Sequence, residues 1–191
     1  MFNKKLSYSI SFSLILFIVF FALGAFTINQ NPDSAEMLLQ TLNEDLFNYI
    51  NEQSPPLMAA TLFINNLEAS LMLFIGGATF GIITLIVLLT NGVIIGFVVE
   101  YAIKLQGTAA VAAGIIPHGI FEIPAFIISS GLGFLLAESL WLEYKGKDDA
   151  AEYAMKLSKI YLMTVVPLLA AAAIIEAFIT PQIINLVVQG V

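Results

Sequence analysis

From Ala69 to Val99 the chain carries no ionisable side chain, and that silence limits the fold more than any motif does. A helix crossing a hydrocarbon core of roughly 30 Å needs about 20 apolar residues, so the stretch is too long for one crossing and too apolar for water. Composition agrees over the 191 residues, 59% of them hydrophobic and 11% charged, where a soluble domain is about 25% charged. Soluble folding and disorder are excluded, and with no Cys so are a disulfide scaffold and a thiolate metal site. A net charge of -7 without Arg repels phosphate, so no nucleic-acid partner is expected. What remains is an all-α, polytopic transmembrane bundle of about five spans, one membrane domain over residues 1–191, in the cell membrane with lipid as its first partner.

The first span is read at about 6–28, after Lys4 and Lys5. Its apolar run exceeds the 7 to 15 residues of a signal-peptide core, so it is taken as uncleaved. Within the uncharged stretch the turn can sit at Gly76 to Gly81 or at Asn91-Gly92. Asn followed by Gly is the stronger turn signal, which predicts spans at about 69–89 and 93–116. A fourth span follows at about 123–144, with Pro124 as its first helical residue. The fifth, at about 160–180, has Pro167 as an expected kink.

Lysines in short loops stay cytoplasmic. Lys4 and Lys5 precede the first span, while Lys145, Lys147, Lys156 and Lys159 fall between the fourth and fifth, so an even number of crossings separates the groups. This predicts the N-terminus inside and the C-terminus outside. The segment from Asn29 to Leu57, acidic and without a base, then faces outside. Within it an amphipathic helix is expected at about 33–52, on the bilayer or as a docking surface for an external partner. The inner loop at about 145–159 reads as a solvated connector, or alternatively as a site for a cytoplasmic partner.

Small residues inside spans let helices approach closely. Gly77 with Gly81, Gly92 with Gly96, and Gly131 with Gly133 offer such faces, for packing within one chain ahead of dimerisation; a homo-oligomer stays open.

Six charged residues belong to neither terminus nor loop: Glu68, Glu100, Lys104, Glu122, Glu138 and Glu176. Glu68, Glu138 and Glu176 can reach an interface from near a helix end. Glu100, Lys104 and Glu122 fall deeper, where a charge costs about 2.5 to 3.5 kcal/mol on the insertion scale. Glu100 and Lys104, spaced i,i+4 near the middle of the third span, suit an ion pair. The densest constellation runs from Ile116 to Pro124 and holds Pro117, His118, Gly119, Glu122 and Pro124, with the chain's only His. The prolines and Gly119 predict a broken or re-entrant helix, tolerated only where backbone is buried in protein or lines a wet cavity. With no second His and no HExxH pattern, neither metal nor cofactor is expected. Two roles stay open for His118 and Glu122: a structural hydrogen bond to Asn65, Asn66 or Asn91, or proton and ion handling. Facing a water-accessible pocket favours the second, and being sealed against the asparagines favours the first.

Asn65-Asn66, Gly76-Gly77, Gly81, Asn91-Gly92, Gly96, Pro117-His118-Gly119 with Glu122 and Pro124, then Gly131 and Gly133, together resemble the stage II sporulation protein M family, over about Phe63 to Leu135. The resemblance implies a multi-span membrane protein. In spore formers the sporulation member acts with a cell-wall hydrolase and an amidase during engulfment, as their membrane-bound partner. It further marks Asn65, Asn66, Asn91, Gly92, His118, Gly119 and Glu122 as special positions, though not as catalytic ones. The expected function is therefore a non-enzymatic membrane component of a cell-envelope complex, with other envelope or membrane proteins as partners. The alternative is translocation of a small solute, ion or proton at the intramembrane His/Glu site.

Overall fold

A computed structural model describes residues 2–30, 54–147 and 149–189. The expected outer helix at 33–52 lies outside these residues. Among the described residues the chain is helical, with no strand: α1 (Phe2–Gln30), α2 (Pro55–Ile75), a 3-10 turn (Gly76–Thr79), α3 (Ile82–Gln106), α4 (Thr108–Tyr144), α5 (Ala150–Ile160), a π turn (Tyr161–Val165), α6 (Val166–Phe178) and α7 (Thr180–Gln189). Five stretches are long and apolar enough to cross a membrane: Phe2–Ile28, Pro55–Thr79, Ile82–Gln106, Thr108–Tyr144 and Ala150–Phe178.

The turn after α2 forms at Gly76 to Gly81, not at Asn91-Gly92. Phe80 and Gly81 both take left-handed backbone, with φ of 53° and 84°, which glycine adopts without a steric cost. The Thr79 hydroxyl donates to the Gly76 carbonyl at 2.7 Å and accepts from the Ile83 amide at 3.0 Å, tying the end of α2 to the start of α3. Asn91 and Gly92 instead lie inside α3. Asn91 Nδ2 donates to the Val87 carbonyl one turn back at 2.8 Å, and a Cβ on Gly92 would press on Phe20 of α1. In water an Asn-Gly pair favours a turn; here the amide is satisfied on its own helix and the glycine admits a neighbour.

This difference shifts the second and third spans and the start of the fourth, whose end stays at Tyr144. The expected spans at 69–89, 93–116 and 123–144 become Pro55–Thr79, Ile82–Gln106 and Thr108–Tyr144. Pro55 and Pro56 open α2, where a missing amide is harmless. The turn between α3 and α4 falls at Gly107, with φ of 82°. Glu100 and Lys104, expected near mid-span, therefore sit in the last two turns of α3, where Lys104 complements the helix dipole. The expected break between Pro117 and Pro124 is also absent, because α4 runs through both prolines. Neighbouring helices make that tolerable in a membrane bundle. The irregular backbone lies ahead of Pro167 instead, in the π turn.

Helix α4 is central: half of its apolar stretch is buried, against 22–33% for the other four. It packs on α1, α2, α3, the α5–α6 segment and α7. The bundle closes on small residues. Glycines 24, 92 and 96 bring α1 and α3 together, each lying where a Cβ would meet atoms of the opposite helix. A Cβ on Gly77 would meet the Gly133 carbonyl, and one on Gly133 the Leu73 carbonyl. Gly131 faces Ile10 of α1, while Gly81 serves the turn. Thr84, fully buried, donates to the Leu73 carbonyl at 2.9 Å and so satisfies an acceptor in the last turn of α2. Leucines 73, 88, 132, 157 and 169 are at most 1% exposed. Ile15, Ile18, Phe26, Ile64, Met72, Ile82 and Ile86, by contrast, stay on the surface, the arrangement of a protein whose solvent is lipid.

One end gathers the lysines of α1, α5 and the connection between α4 and α5, while Lys104 lies at the other end beside Gly107. Lys5 Nζ reaches Glu138 Oε1 at 2.7 Å, Lys156 lies over the Phe2 ring at 3.8 Å and Lys145 over Trp141 at 4.6 Å. Trp141 and Tyr144 stack there with exposed rings, as aromatic side chains do at a membrane interface.

Replacing Gly133 by Ala is expected to cost about 1–3 kcal/mol through overpacking, read as a lower thermal-unfolding midpoint in detergent. Gly119→Ala, whose Cβ would meet only Ile115 and Ile123 side chains at 3.5 and 3.8 Å, should be neutral or mildly stabilising, since Ala is the better helix former. Equal midpoints for the two variants would contradict this packing.

Candidate functional site

His118 and Glu122 are one turn apart on α4 and share a face. Glu122 lies near the middle of that helix, and Asn66 lies at a similar position on α2. Both chain segments run away from the end bearing Gly107 and toward the lysine-bearing end, so α2 and α4 are parallel. Asn66 precedes Gly77 by eleven residues and Glu122 precedes Gly133 by the same number. Eleven residues make about three helical turns, so each polar residue shares a face with its glycine. Close contact between Gly77 and Gly133 therefore aligns Asn66 with Glu122, and the Asn66 amide hydrogen-bonds the Glu122 carboxyl.

Glu176, in the last turn of α6, completes the group. One side-chain ligand atom each from His118, Glu122 and Glu176 all lie within 4.8 Å of one another. Asn66 is buried at 9% exposure, and His118 Nδ1 is buried with no hydrogen-bond partner among the described residues. Two carboxyls so close repel unless a proton or a cation stands between them.

A cavity of about 610 Å³ covers the cluster. Asn65, Asn66, Thr180 and Asn185 line it with His118, Glu122 and Glu176, and Met58, Leu62, Ile95 and Ile184 supply apolar wall. A second cavity of about 190 Å³ touches His118 and Glu122 on the α3 side, among Ile94, Ile95, Val98, Val99 and Ile115. The His/Glu pair thus stands between a larger cavity that carries several polar residues and a smaller one walled by aliphatic side chains. Glu122 is bonded to an asparagine, and the His/Glu pair also faces a cavity.

Of the residues singled out from sequence, the fold brings together His118, Glu122, Asn65 and Asn66. Pro117 and Pro124 flank them within α4, and Gly119 lines the smaller cavity. Asn91 bonds its own helix, and Glu100 and Lys104 lie at the far end of α3, so these three are not brought to the site. Glu176 is the addition. Its signal was a single carboxylate in the apolar run from Ala170 to Ile179, followed at once by Thr180-Pro181.

Five helical stretches long and apolar enough to cross a bilayer define a membrane protein. The chain matches the family Stage II sporulation protein M over residues 13–181, and it belongs to that family. It is 32% identical over 175 residues to the uncharacterized protein MJ0793 of Methanocaldococcus jannaschii, covering 90% of this chain and 93% of that one. A second protein of the same organism, the uncharacterized protein MJ0706, is 25% identical over 189 residues, covering 95% of this chain and 84% of the relative. No solved structure matches the chain.

Removing the Glu122 carboxyl leaves Asn66 buried without its partner, at a cost of about 1–3 kcal/mol. Glu138 makes an exposed ion pair with Lys5, of a kind worth about 0–1 kcal/mol. Glu122→Ala is therefore expected to lower expression and thermal stability in detergent more than Glu138→Ala, and indistinguishable variants would count against the buried cluster.

Proposed function

We propose that the protein is a multi-pass protein of the cell membrane, N-terminus inside and C-terminus outside, that binds and passes a small polar solute, ion or proton through the His118–Glu122–Glu176 cavity without chemically altering it. The observation that carries this reading is the cavity itself. Ionisable side chains inside a membrane bundle are costly and mark solute or proton pathways. Here two carboxyls and an imidazole converge on one chamber in place of pairing off against a lysine. The orientation rests on the lysines at the end that holds Lys5 and Lys156. With that end inside, the larger cavity, lined by the first half of α2 and by α7, lies in the outer half of the bundle.

A second reading is supported by family membership: a non-enzymatic membrane component of a cell-envelope complex. The surface favouring it is the groove of about 380 Å³ on α5, formed by Asp149, Glu152, Met155, Lys156 and Lys159, whose mixed charges and exposed Met155 suit a partner on the lysine-bearing side. On this reading, crosslinking followed by purification in mild detergent recovers a discrete envelope or cytoplasmic partner, and repeated recovery of the protein alone counts against it.

Proteoliposomes carrying a pH-sensitive dye and an imposed proton or cation gradient test the primary reading. Wild-type protein should dissipate at least one gradient, and Glu122→Gln or His118→Ala should slow it by about tenfold or more, the range over which a positioned proton-transfer group acts. Flux unchanged in both variants removes the cavity from the function.

A further inference from the structure

We propose that His118, Glu122 and Glu176 form a binding site for one divalent transition-metal cation, of the Zn²⁺ or Mn²⁺ class. This rests on reading the cavity as the functional site, and it names the ligand class. The three side chains come from two helices and offer one nitrogen and two carboxylate oxygens, all within 4.8 Å of one another. Ligand bonds to such an ion are about 2.0–2.2 Å, which puts ligand atoms on one ion roughly 3.4 Å apart. The side chains have only to draw in by about an ångström, well within the reach of a Glu rotamer.

Charge and donor type select the ion. Two carboxylates against a dication leave the site neutral inside an apolar bundle, which removes the cost of holding two like charges together. One imidazole with carboxylates suits Zn²⁺ or Mn²⁺, and the lack of any thiolate removes the preference for Cu(I). Ca²⁺ takes 6–8 oxygen ligands and Mg²⁺ keeps most of its waters, so neither gains from an imidazole.

The surroundings supply an independent indication. His118 Nδ1 is buried and lacks a hydrogen-bond partner among the described residues, although imidazole nitrogens in such places ordinarily have one. Asn66 holds the Glu122 carboxyl from the side, the kind of outer contact that orients a metal ligand. The chamber beside the cluster has room for the waters that complete the coordination of a three-ligand site. Thr180 and Asn185 line the same space.

The test uses the full chain in detergent, stripped with a chelator and titrated with Co²⁺ as a spectroscopic stand-in, with Zn²⁺ content measured by elemental analysis after equilibration. One ion per chain is expected, with a Co²⁺ visible spectrum that Zn²⁺ displaces. Glu176→Gln should bind at least tenfold more weakly, while Glu138→Gln, at the lysine-bearing end, should bind as wild type does. The wild-type titration stands whether or not the Glu176 variant folds, and circular dichroism reports on the variant. Absence of stoichiometric binding by folded wild-type protein overturns the proposal, as does undiminished binding by folded Glu176→Gln. Proton flux that depends on Glu122 without any metal binding sinks the metal site and leaves the translocation reading standing. A Co²⁺ site lost in Glu176→Gln, in a protein that passes no ion or proton, upholds the metal site and sinks translocation.

Discussion

The contact of α2 with α4 at Gly77 and Gly133 is the constraint from which the site follows. Backbones this close leave no room for a Cβ, and in lipid, where apolar side chains gain nothing by leaving their solvent, close packing of small residues is a main source of helix association. The Thr84 hydroxyl closes the same junction by bonding the Leu73 carbonyl. Since the two helices are parallel and Asn66 and Glu122 lie equally far before their glycines, the junction near the lysine-bearing end fixes the register of a polar pair three turns away. A chain that lost the glycine contact would lose the register with it, before any polar residue was touched.

Polarity in the bundle is graded. Several serines and threonines near the centre bond carbonyls of their own or neighbouring helices, as Ser130 does with Ile127 and Ser9 with Gly131, while the hydroxyls of Ser13 and Ser129 are buried without a partner among the described residues; none of these groups is ionisable. All the lysines but Lys104 are kept to one end, where Glu138 and exposed aromatic rings accompany them. Against that background the convergence of His118, Glu122 and Glu176 has no packing rationale, because an apolar residue at any of the three positions would fill space at lower cost. A structural hydrogen bond accounts for Asn66 and Glu122. It does not account for a second carboxyl brought within 4.8 Å, and that second carboxyl shifts the balance from a structural pair toward a binding site.

The sequence made the class of fold and half of the site legible. Long apolar runs define membrane helices regardless of where their turns fall, and an i,i+4 pair such as His118 and Glu122 shares a face in any continuous helix. What was not legible depends on contacts between helices. Asn91-Gly92 has the local chemistry of a turn, and only the approach of α1 shows that its glycine serves packing. Placing the turn there also carried Glu100 and Lys104 to mid-span, so one local misreading produced a second. Pro117 and Pro124 would break an isolated helix, yet α4 is enclosed by neighbours and keeps its course. Glu176 was visible as a charge in an apolar run, but residue spacing says nothing about which helix it faces.

Its facing is set by the π turn. Leu157, Tyr161, Val165 and Leu169 are all at most 4% exposed and recur every fourth residue, a spacing that drifts steadily around an ideal helix of 3.6 residues per turn. The wider turn at Tyr161–Val165 takes up that drift and keeps all four against α2 and α4. Tyr161 stacks on Phe74 with centroids 5.4 Å apart and shares a hydrogen bond of 2.8 Å with Ser70, which holds the irregular turn in place. Pro167, at the start of α6, then resumes regular helix without needing the amide it lacks. From there Leu169, Ala172, Ala173 and Ala177 follow at ordinary helical spacing on the buried side, and Glu176 stands beside Ala177 toward the cavity. Without the extra residue that a π turn absorbs, α6 would enter rotated by about one residue's arc, roughly 100°, and its carboxyl would point away from His118. The irregular turn lies some four helical turns from the cluster, yet it determines whether the third ligand is present.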